Sequence, residues 1–329
     1  MAHLNDDEGG QIILIAALAL AVTFIGLALV VNSAIYTQNL ASRGEVAGSN
    51  DALEMRAMVE SNVGQGITAA NRYNHSNQTT LKTGTRESIR TVSTQTERQR
   101  VTSGTLVNVT LAGSPTYGTR IAQNDTSVFN SSEATPSTDW TVGERIKRPS
   151  DGTNATRRFV INATELPSSG SKFVVTANGT GSNSKWKMRI WGSVGPSGTV
   201  NVSVERPAGT PSTQACGVSI EEPYAHIDVT GGTVQGEPCL ALQGGDFDGR
   251  FAHGVGDEYN ITYKRGDQIK GNYSMVVRGS RPANPLDTAP KSPLSTIAIY
   301  NATVRYRYDT SNLRYEAKIR VAPGEPDAS

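Results

Sequence analysis

The sequence predicts a mainly β, sandwich-like ectodomain of one or two lobes, carried on an N-terminal transmembrane α-helix with a helical stem. Three observations predict this fold class: an uncharged apolar run near the N-terminus, an amphipathic pattern after it, and alternating segments separated by Gly, Asn, Ser and Pro over the rest of the chain. The predicted parts are a short leader (1–10), a transmembrane helix (11–40), a helical stem with a polar linker (41–104) and two β-rich regions (105–206 and 207–329).

The composition excludes some function classes. The chain has 329 residues, of which 31 are basic and 30 acidic, so its net charge is +1. A nearly neutral chain has no global field to attract nucleic acid, and we expect no nucleic-acid partner. Only 36% of the residues are hydrophobic, and many of these lie in the opening run. The polar remainder, rich in Ser, Thr, Gly and Asn, is typical of secreted β-rich domains.

The apolar run is long enough to cross a bilayer. No charged residue lies between Gly9 and Ser42, and the run 12–31 has Thr23 as its only polar member. Twenty helical residues span about 30 Å, the thickness of the hydrocarbon core. A cleaved signal peptide has a shorter apolar core and a basic start, whereas acidic residues precede this run. We therefore predict an anchor that stays in the membrane lipid.

Small residues recur one helical turn apart within the run, at Ala17 and Ala21 and again at Ala19 and Thr23. Such spacing lets membrane helices approach closely, which favours self-association through this helix. Alanine is also common in membrane helices that contact only lipid, so both interpretations stay open.

The stem is predicted from a second pattern. Apolar residues recur at roughly helical intervals at Leu53, Val59, Val63, Ile67 and Ala70. Glycines at 64 and 66 interrupt this helix, and those at 44 and 48 predict kinks or a break from the membrane segment. A second, more polar helix is predicted over 85–100.

Alternation begins after residue 103. Strands are predicted at 105–111, 158–163, 172–177, 185–190, 200–205, 226–229, 258–264, 273–278, 297–308 and 313–321. The last two form a hairpin around "YDTSNL", while "ERPAGTPSTQA" is predicted as a linker and "RPANPLDTAPKSP" as a long loop or boundary.

Two cysteines, Cys216 and Cys239, lie outside the apolar run with 22 residues between them. Neither has a metal-ligand spacing, so a disulfide is the favoured interpretation and two buried thiols are the alternative. A disulfide closing such a loop contributes roughly 3 kcal/mol to stability.

Glycosylation sequons are unusually frequent. Asn-x-Ser/Thr occurs at 12 of the 21 asparagines, against about four by chance. All follow the apolar run, which predicts that the N-terminus is inside and the remainder outside; the alternative is a Ser/Thr-rich protein whose sequons are not used. The sites are Asn74, Asn77, Asn108, Asn124, Asn130, Asn154, Asn162, Asn178, Asn201, Asn260, Asn272 and Asn301.

No catalytic motif is present in the sequence, and we expect neither enzyme activity nor a cofactor. The glycine-rich "GGDFDGRFAHGVGDEYN" contains four acids that could wrap Ca²⁺, although their spacing is not that of an EF-hand, and a turn with solvated acids is the favoured interpretation. The four are Asp246, Asp248, Asp257 and Glu258. The tripeptide Arg265-Gly266-Asp267 predicts a hairpin turn between strands.

Several stretches carry a family resemblance. The opening "GGQIILIAALALAVTFIGLALVVNSAIYTQNLASR", with "YGTRIAQND", "CGVSIEEPYAHIDVTGGTVQGEPC" and "LRYEAKIRVAPGEPD", resembles uncharacterised haloarchaeal cell-surface proteins of the pilin-like kind, and more loosely the anchors of Tad-type pseudopilins. The resemblance implies a membrane-tethered or pilus-associated surface protein. Prepilin-like processing would cut between Gly10 and Gln11, although the leader is acidic and the fifth mature residue would be Ile15.

Together these observations predict a single-pass, N-glycosylated surface protein with a structural, pilin-like or envelope-associated role. Two alternatives stay open. A monomeric anchored adhesin or ligand-binding module would keep its helix in lipid and carry a specific pocket. A surface hydrolase would need a catalytic site assembled from distant residues.

Overall fold

The structure is a computed structural model that describes residues 7–133, 135–150, 153–180, 184–207, 213–244, 246–279, 281–282, 287–288 and 293–324. Between 7 and 48 it describes side chains only at 20, 23, 24 and 27–32, and those at 281, 282, 287 and 288 are not described. Most of the predicted leader therefore lies outside the described residues, and of Gly10 only the helical backbone is described. The side chain of Gln11 and most of those in the predicted membrane helix lie outside them as well.

Among the described residues, two α-helices precede seventeen strands. The helices are α1 (Asp7–Tyr73) and α2 (Gln78–Arg100). The first strands are β1 (Leu106–Leu111), β2 (Thr116–Val128), β3 (Trp140–Lys147), β4 (Thr156–Glu165), β5 (Phe173–Gly179), β6 (Lys185–Gly192), β7 (Gly198–Glu205), β8 (Thr213–Ile220) and β9 (Ala225–Asp228). The rest are β10 (Thr233–Val234), β11 (Glu237–Pro238), β12 (Glu258–Lys264), β13 (Lys270–Val277), β14 (Arg281–Pro282), β15 (Asp287–Thr288), β16 (Leu294–Asp309) and β17 (Arg314–Val321).

Helix α1 is continuous over 67 residues, so the predicted break at Gly44 and Gly48 is wrong, and Gly64 and Gly66 do not interrupt it. A glycine inside a helix costs only about 1 kcal/mol relative to alanine, and an established helix propagates through such positions. Gly66 also serves packing, because a Cβ there would lie 2.8 Å from the Cβ of Ser88 on α2. The second helix is confirmed but begins seven residues before the predicted start, where Asn77 caps it.

The second half of α1 packs with α2 on one face of a three-stranded unit, β1–β16–β17. The buried face of α1 recurs every three or four residues, which is the spacing of one side of a helix. Leu53 was predicted on this face but is 49% exposed, because the helical phase places Ala52 and Met55 inward instead. Among the described side chains of α1, the buried apolar ones are Ala52, Met55, Val59, Val63, Ile67 and Ala70.

The strands together form a β-sandwich of two sheets, and the three-stranded unit is part of one of them. One sheet has ten strands in the order β1-β16-β2-β13-β4-β9-β10-β11, with β15 and β17 also paired to β16, and the other has seven in the order β14-β3-β12-β5-β6-β7-β8. Their inner faces share one apolar core. At its centre Phe129 and Tyr273, on the ten-stranded side, make edge-to-face contacts with Phe173, whose ring lies 5.5 Å from Phe129, and with Tyr263, 5.2 Å from Tyr273. The mainly β, sandwich-like prediction is confirmed at this level.

The two predicted β-rich ranges are interleaved in both sheets. Strand β13 lies between β2 and β4, and β12 lies between β3 and β5. Strand β7 pairs with β8 across the predicted boundary at 206 and 207. Each sheet is thus built from strands of 105–206 and of 207–329.

Seven of the described strands are not predicted from the sequence, and four of these, β10, β11, β14 and β15, are only two residues long. Strand β2 is the longest of these and reads as polar, yet Arg120 and Gln123 are buried in it because their side chains are hydrogen-bonded. Strand β3 was not predicted either. Strand β8 begins inside the segment predicted as a linker, and its burial alternates only weakly because it lies at the sheet edge.

Arg265-Gly266-Asp267 does not form the predicted hairpin turn. Strand β12 before it belongs to the seven-stranded sheet and β13 after it to the ten-stranded sheet, so the segment crosses the sandwich. A Cβ on Gly266 would lie 2.1 Å from the carbonyl oxygen of Phe129, a close approach that only glycine allows. The carboxyl-terminal hairpin around "YDTSNL" is confirmed, with β16 and β17 antiparallel and Asp309 opposite Arg314.

The predicted disulfide is confirmed between Cys216 on β8 and the buried Cys239 that follows β11, with Cα atoms 5.6 Å apart. Strand β8 is the edge of the seven-stranded sheet and β11 is the edge of the ten-stranded one. The bond therefore joins the two layers of the sandwich at their edges.

The contact between α1 and α2 predicts opposite effects for two neighbouring glycines. Gly66→Ala should lower the free energy of unfolding by about 1 to 3 kcal/mol, because the new Cβ would force the helices apart at Ser88. Gly64→Ala should be neutral or stabilise by up to about 1 kcal/mol, since its Cβ would lie 3.7 Å from Val321 in ordinary contact. Urea unfolding of the two variants in detergent tests this packing, and equal effects would contradict it.

Candidate functional site

The first half of α1 carries an exposed apolar surface. The described large side chains on this half are 48% to 67% exposed and have no partner within the described part of the chain. The hydroxyl of Thr23 donates to the carbonyl oxygen of Leu20 at 2.7 Å, so that polar group is satisfied inside the helix. We call this the apolar shaft; its described members are Leu20, Phe24, Leu27, Leu29, Val30 and Val31.

Where side chains are described, no helix meets the length and apolarity needed to cross a membrane. Most side chains of 11–40 lie outside that search.

A polar network fixes the point where α1 meets the β-rich part of the chain. We call this part the head; it comprises the described residues from 105 to 324. Asp51 pairs with Arg100 at 3.2 Å and accepts a hydrogen bond from the Tyr308 hydroxyl, while the Tyr306 hydroxyl donates to the carbonyl oxygen of Ala52 at 3.1 Å. Burial raises the pKa of both tyrosines, and for Tyr308 the hydrogen bond to Asp51 adds to the effect. Both phenols therefore stay protonated donors, and this network joins α1, α2 and β16.

Asn71 forms a second junction at the other end of the packed half. Its side-chain nitrogen donates to the carbonyl oxygen of Ile299 at 2.9 Å, and its oxygen accepts from the Ile299 amide at 2.7 Å. Ile299 lies where β16 shifts register against β2, between Ile299 and Asn301. The buried amide of Asn71 thus satisfies backbone groups that the strand ladder leaves unpaired. Nothing in the sequence marks Asn71 as a functional residue, because a lone Asn in a helix belongs to no pattern.

The acidic loop does not gather its four acids. Asp248 binds Arg250 through two contacts of 2.8 and 2.7 Å and lies 3.3 Å from His253, while Glu258 faces Arg145 and Lys147. The hydrogen bond from Arg250 is the main reason that the pKa of Asp248 is lowered. Over the described residues, which include Asp246 and Asp257, no group of three or more acids, histidines and cysteines is arranged to hold a metal ion.

Two of the three basic residues of β6 are paired with one acid. Lys187 and Arg189 converge on Glu205 of β7 at 3.3 and 2.6 Å. The Arg189 hydrogen bond is the main cause that lowers the pKa of Glu205. On β16, Arg305 and Arg307 face Glu316 and Asp309. These pairs neutralise the basic residues that alternate along β6 and β16, which leaves little local net charge to attract a polyanion.

The sequons differ in accessibility. Four of the asparagines are exposed and the other eight are half-buried. In three of the half-buried ones the side-chain nitrogen, the atom that a glycan would occupy, donates a hydrogen bond: Asn154 to the carbonyl oxygen of Phe251, Asn162 to Asn272 and Asn178 to Thr262. The exposed four are Asn77, Asn108, Asn124 and Asn260.

One surface cavity of about 480 Å³ lies at the end of β8 and beside β9 and β10. Two acids and a 43% exposed tyrosine line it, together with His226, whose Nδ1 lies 2.7 Å from the Asn162 oxygen. The three are Glu221, Glu222 and Tyr224. An aromatic ring beside carboxylates can stack on a ligand and hydrogen-bond its donors.

The Asn71 junction makes a specific prediction. Asn71→Asp keeps the side-chain shape but replaces the donor to Ile299 with a carboxylate oxygen, so the free energy of unfolding should fall by about 2 to 4 kcal/mol. Gln65→Glu is the matched control, because it makes the same amide-to-acid change at an exposed position of α1 and should stay within about 0.5 kcal/mol of the parent. Chemical denaturation measures both, and a tolerated Asn71→Asp would refute the junction.

Residues 6–137 match the model of a family of unknown function, DUF7261. The matched range contains both helices and the strands β1 and β2. No match to the chain is found among curated proteins.

Proposed function

We propose that the protein is a single-pass, extracellular surface protein of the cell membrane with a structural, pilin-like or envelope-associated role and no catalytic activity. The observation that carries this proposal is the apolar shaft of α1, whose large side chains are exposed on a helix that continues into the head. Exposed apolar side chains in such number favour burial in lipid or against other helices. The uncharged run 12–31 supplies the length for a bilayer.

The proposed orientation has the N-terminus inside and the head outside, where the sequons and the disulfide are. A disulfide joining the sandwich edges suits an oxidising compartment. The resemblance of the opening stretch to haloarchaeal pilin-like proteins, and more loosely to Tad-type pseudopilin anchors, supports the pilin-like role. In such a role neighbouring shafts pack together through the small residues of the run, whereas a lone anchor contacts lipid only.

The shaft predicts how charge alters membrane attachment. In the double variant Phe24→Asp and Leu27→Asp, two carboxylates enter the middle of the apolar run at a cost of about 5 to 7 kcal/mol, so the protein should be lost from carbonate-washed membranes. The matched double variant Leu53→Asp and Met58→Asp changes two exposed apolar residues on the head half of α1 and should stay membrane-bound. Sedimentation of carbonate-washed membranes from cells that express each variant measures how much protein stays attached. Retention of the Phe24→Asp and Leu27→Asp variant in these membranes would exclude the apolar shaft as the anchor.

The geometry of the sequons predicts which are used. Glycopeptides should be found at Asn77, Asn108 and Asn260, and occupancy should be low at Asn154 and Asn178, whose side-chain nitrogens are hydrogen-bonded. Glycopeptide mass spectrometry of protein from its native envelope measures this. Higher glycan occupancy at the hydrogen-bonded sites than at the exposed ones would mean that glycosylation does not depend on accessibility in the folded structure. A chain without any glycan would contradict the placement of the head outside the cell.

Asn77 offers a clean control, because its oxygen caps α2 by accepting from the Thr80 amide at 2.9 Å. Thr79→Ala removes the sequon but leaves this cap, whereas Gln78→Ala leaves both. Only Thr79→Ala should lose the mass of one glycan.

The second candidate function is a monomeric anchored adhesin or ligand-binding module, which the cavity beside Tyr224 favours. The two functions differ in assembly. Filaments that carry the protein in electron micrographs, with a mature chain beginning at Gln11, support the pilin-like role. An intact amino terminus without filaments supports the binding module.

A further inference from the structure

The edge strands β8 and β17 lie far apart on the head. Strand β17 pairs with β16 near one end of the ten-stranded sheet, and β11 closes the other end. The disulfide after β11 joins that end to β8, the edge of the seven-stranded sheet. Six strand spacings separate β16 from β11, which is roughly 30 Å at about 4.8 Å for each spacing. The two edges are therefore distinct surfaces.

Both strands are regular and open on one side. Each has eight residues and pairs with its neighbour, β7 or β16, without a register shift. Over the residues that the structure describes, neither strand has a partner on its other side. The helical turn 240–242 packs against both β7 and β8, so it covers the face of these strands and not the edge. Each edge thus presents backbone groups that can pair with a further strand.

The region around β8 is acidic. Residues 207–249 contain six acids and no lysine or arginine. Glu221 and Glu222 follow β8 directly, Glu237 lies on β11, and all three are exposed. Strand β8 itself, "TQACGVSI", has no charged residue and no proline, which are the usual obstacles to pairing at an edge. This edge suits a strand that brings positive charge.

The region around β17 is basic. Side chains alternate along β16 and β17, and those that point away from the helix-covered core carry five positive and two negative charges among the described residues 303–320. The two arginines of β16 are paired with Glu316 and Asp309, so the surplus of positive charge lies on β17. The basic residues of β17 are Arg314, Lys318 and Arg320, and all are exposed.

We propose that β17 of one copy of the chain pairs, edge to edge, with β8 of a second copy. The acids after β8 attract the basic residues of β17, and the backbone groups of both edges supply the hydrogen bonds. Like charges oppose the pairing of two β17 strands with each other. Because the two surfaces differ and lie far apart, each contact leaves one edge of each kind free, and the copies extend into a chain. The inference rests on the proposed structural role and deepens it by naming the contact between heads.

Charge reversal at either surface should break the contact. The acidic-edge variant is Glu221→Lys with Glu222→Lys, and the basic-edge variant is Arg314→Glu with Lys318→Glu. Each should weaken self-association of the full chain in nonionic detergent by about tenfold or more. Sedimentation velocity over a range of protein concentrations measures this, and about 0.5 M salt should weaken association of the parent protein in the same direction.

Glu87→Lys with Glu97→Lys is the matched control. It makes the same change of charge as the acidic-edge variant, at exposed positions of α2, and should leave self-association unchanged.

A mixture of the two edge variants tests that the surfaces are complementary. The acidic-edge variant keeps a native β17, and the basic-edge variant keeps a native β8 with its acids. Neither should associate alone, whereas an equimolar mixture should form oligomers as large as those of the parent protein. A variant that does not fold would not be rescued by mixing.

Three results would overturn the proposal. Association of the basic-edge variant alone, as strong as that of the parent, would assign the contact to a symmetric pair of β8 strands. Association that both edge variants leave unchanged would assign it to the apolar shaft, and a parent protein that does not associate would remove the contact altogether. None of these results contradicts the proposed function, which membrane attachment and electron microscopy test separately.

Discussion

The pairing of strand β16 is the constraint on which the rest of the head depends. Its first half pairs with β2 as part of the sandwich, and its second half lies between β1 and β17 beneath the helices. One strand thus contributes to the helix-covered core and, through Ala298 and Tyr300, to a small separate cluster with Val276 of β13. The register shift after Ile299 lies between the part of β16 that pairs with β2 and the part that pairs with β1 and β17, and Asn71 satisfies the backbone there. The direction of α1 is therefore set by the sheet.

The helix-covered core depends on close approach as much as on apolar area. Tyr306 and Tyr308 extend from β16 to the start of the packed half of α1, and Asn71 holds its end, so the helix is fixed at two points roughly 30 Å apart along its axis. Between them the absence of a side chain at Gly66 lets α2 pack against α1. Apolar burial supplies the driving force, while these polar contacts select one alignment of the helix.

Much of this fold could be predicted from patterns within single elements. The last hairpin, the second helix and β12 follow local periodicity, and the cysteine pair follows from residue count and spacing. Long-range pairing could not be predicted, because nothing in the polar sequence of β2 marks it as a central strand that buries Arg120 and Gln123. Asn71 acts through a backbone shift that only the assembled sheet creates. The hairpin predicted at Arg265-Gly266-Asp267 is wrong for the same reason. The residues of a turn do not determine which sheet each flanking strand joins, and here β12 and β13 join different sheets.

The length of α1 bears on how the proposed anchor would present the head. From Asp7 to the junction at Asp51 the helix rises about 66 Å, of which a bilayer would take about 30 Å. If the run 12–31 lies in lipid, the following residues 32–50 raise the head by about 28 Å on a straight helix. This segment stays uncharged as far as Ser42 and keeps Ile35, Tyr36 and Leu40 among its polar residues. A solitary anchor would expose those side chains to water, whereas neighbouring copies could cover them. The composition of this short spacer therefore favours the assembled, pilin-like role over the solitary one.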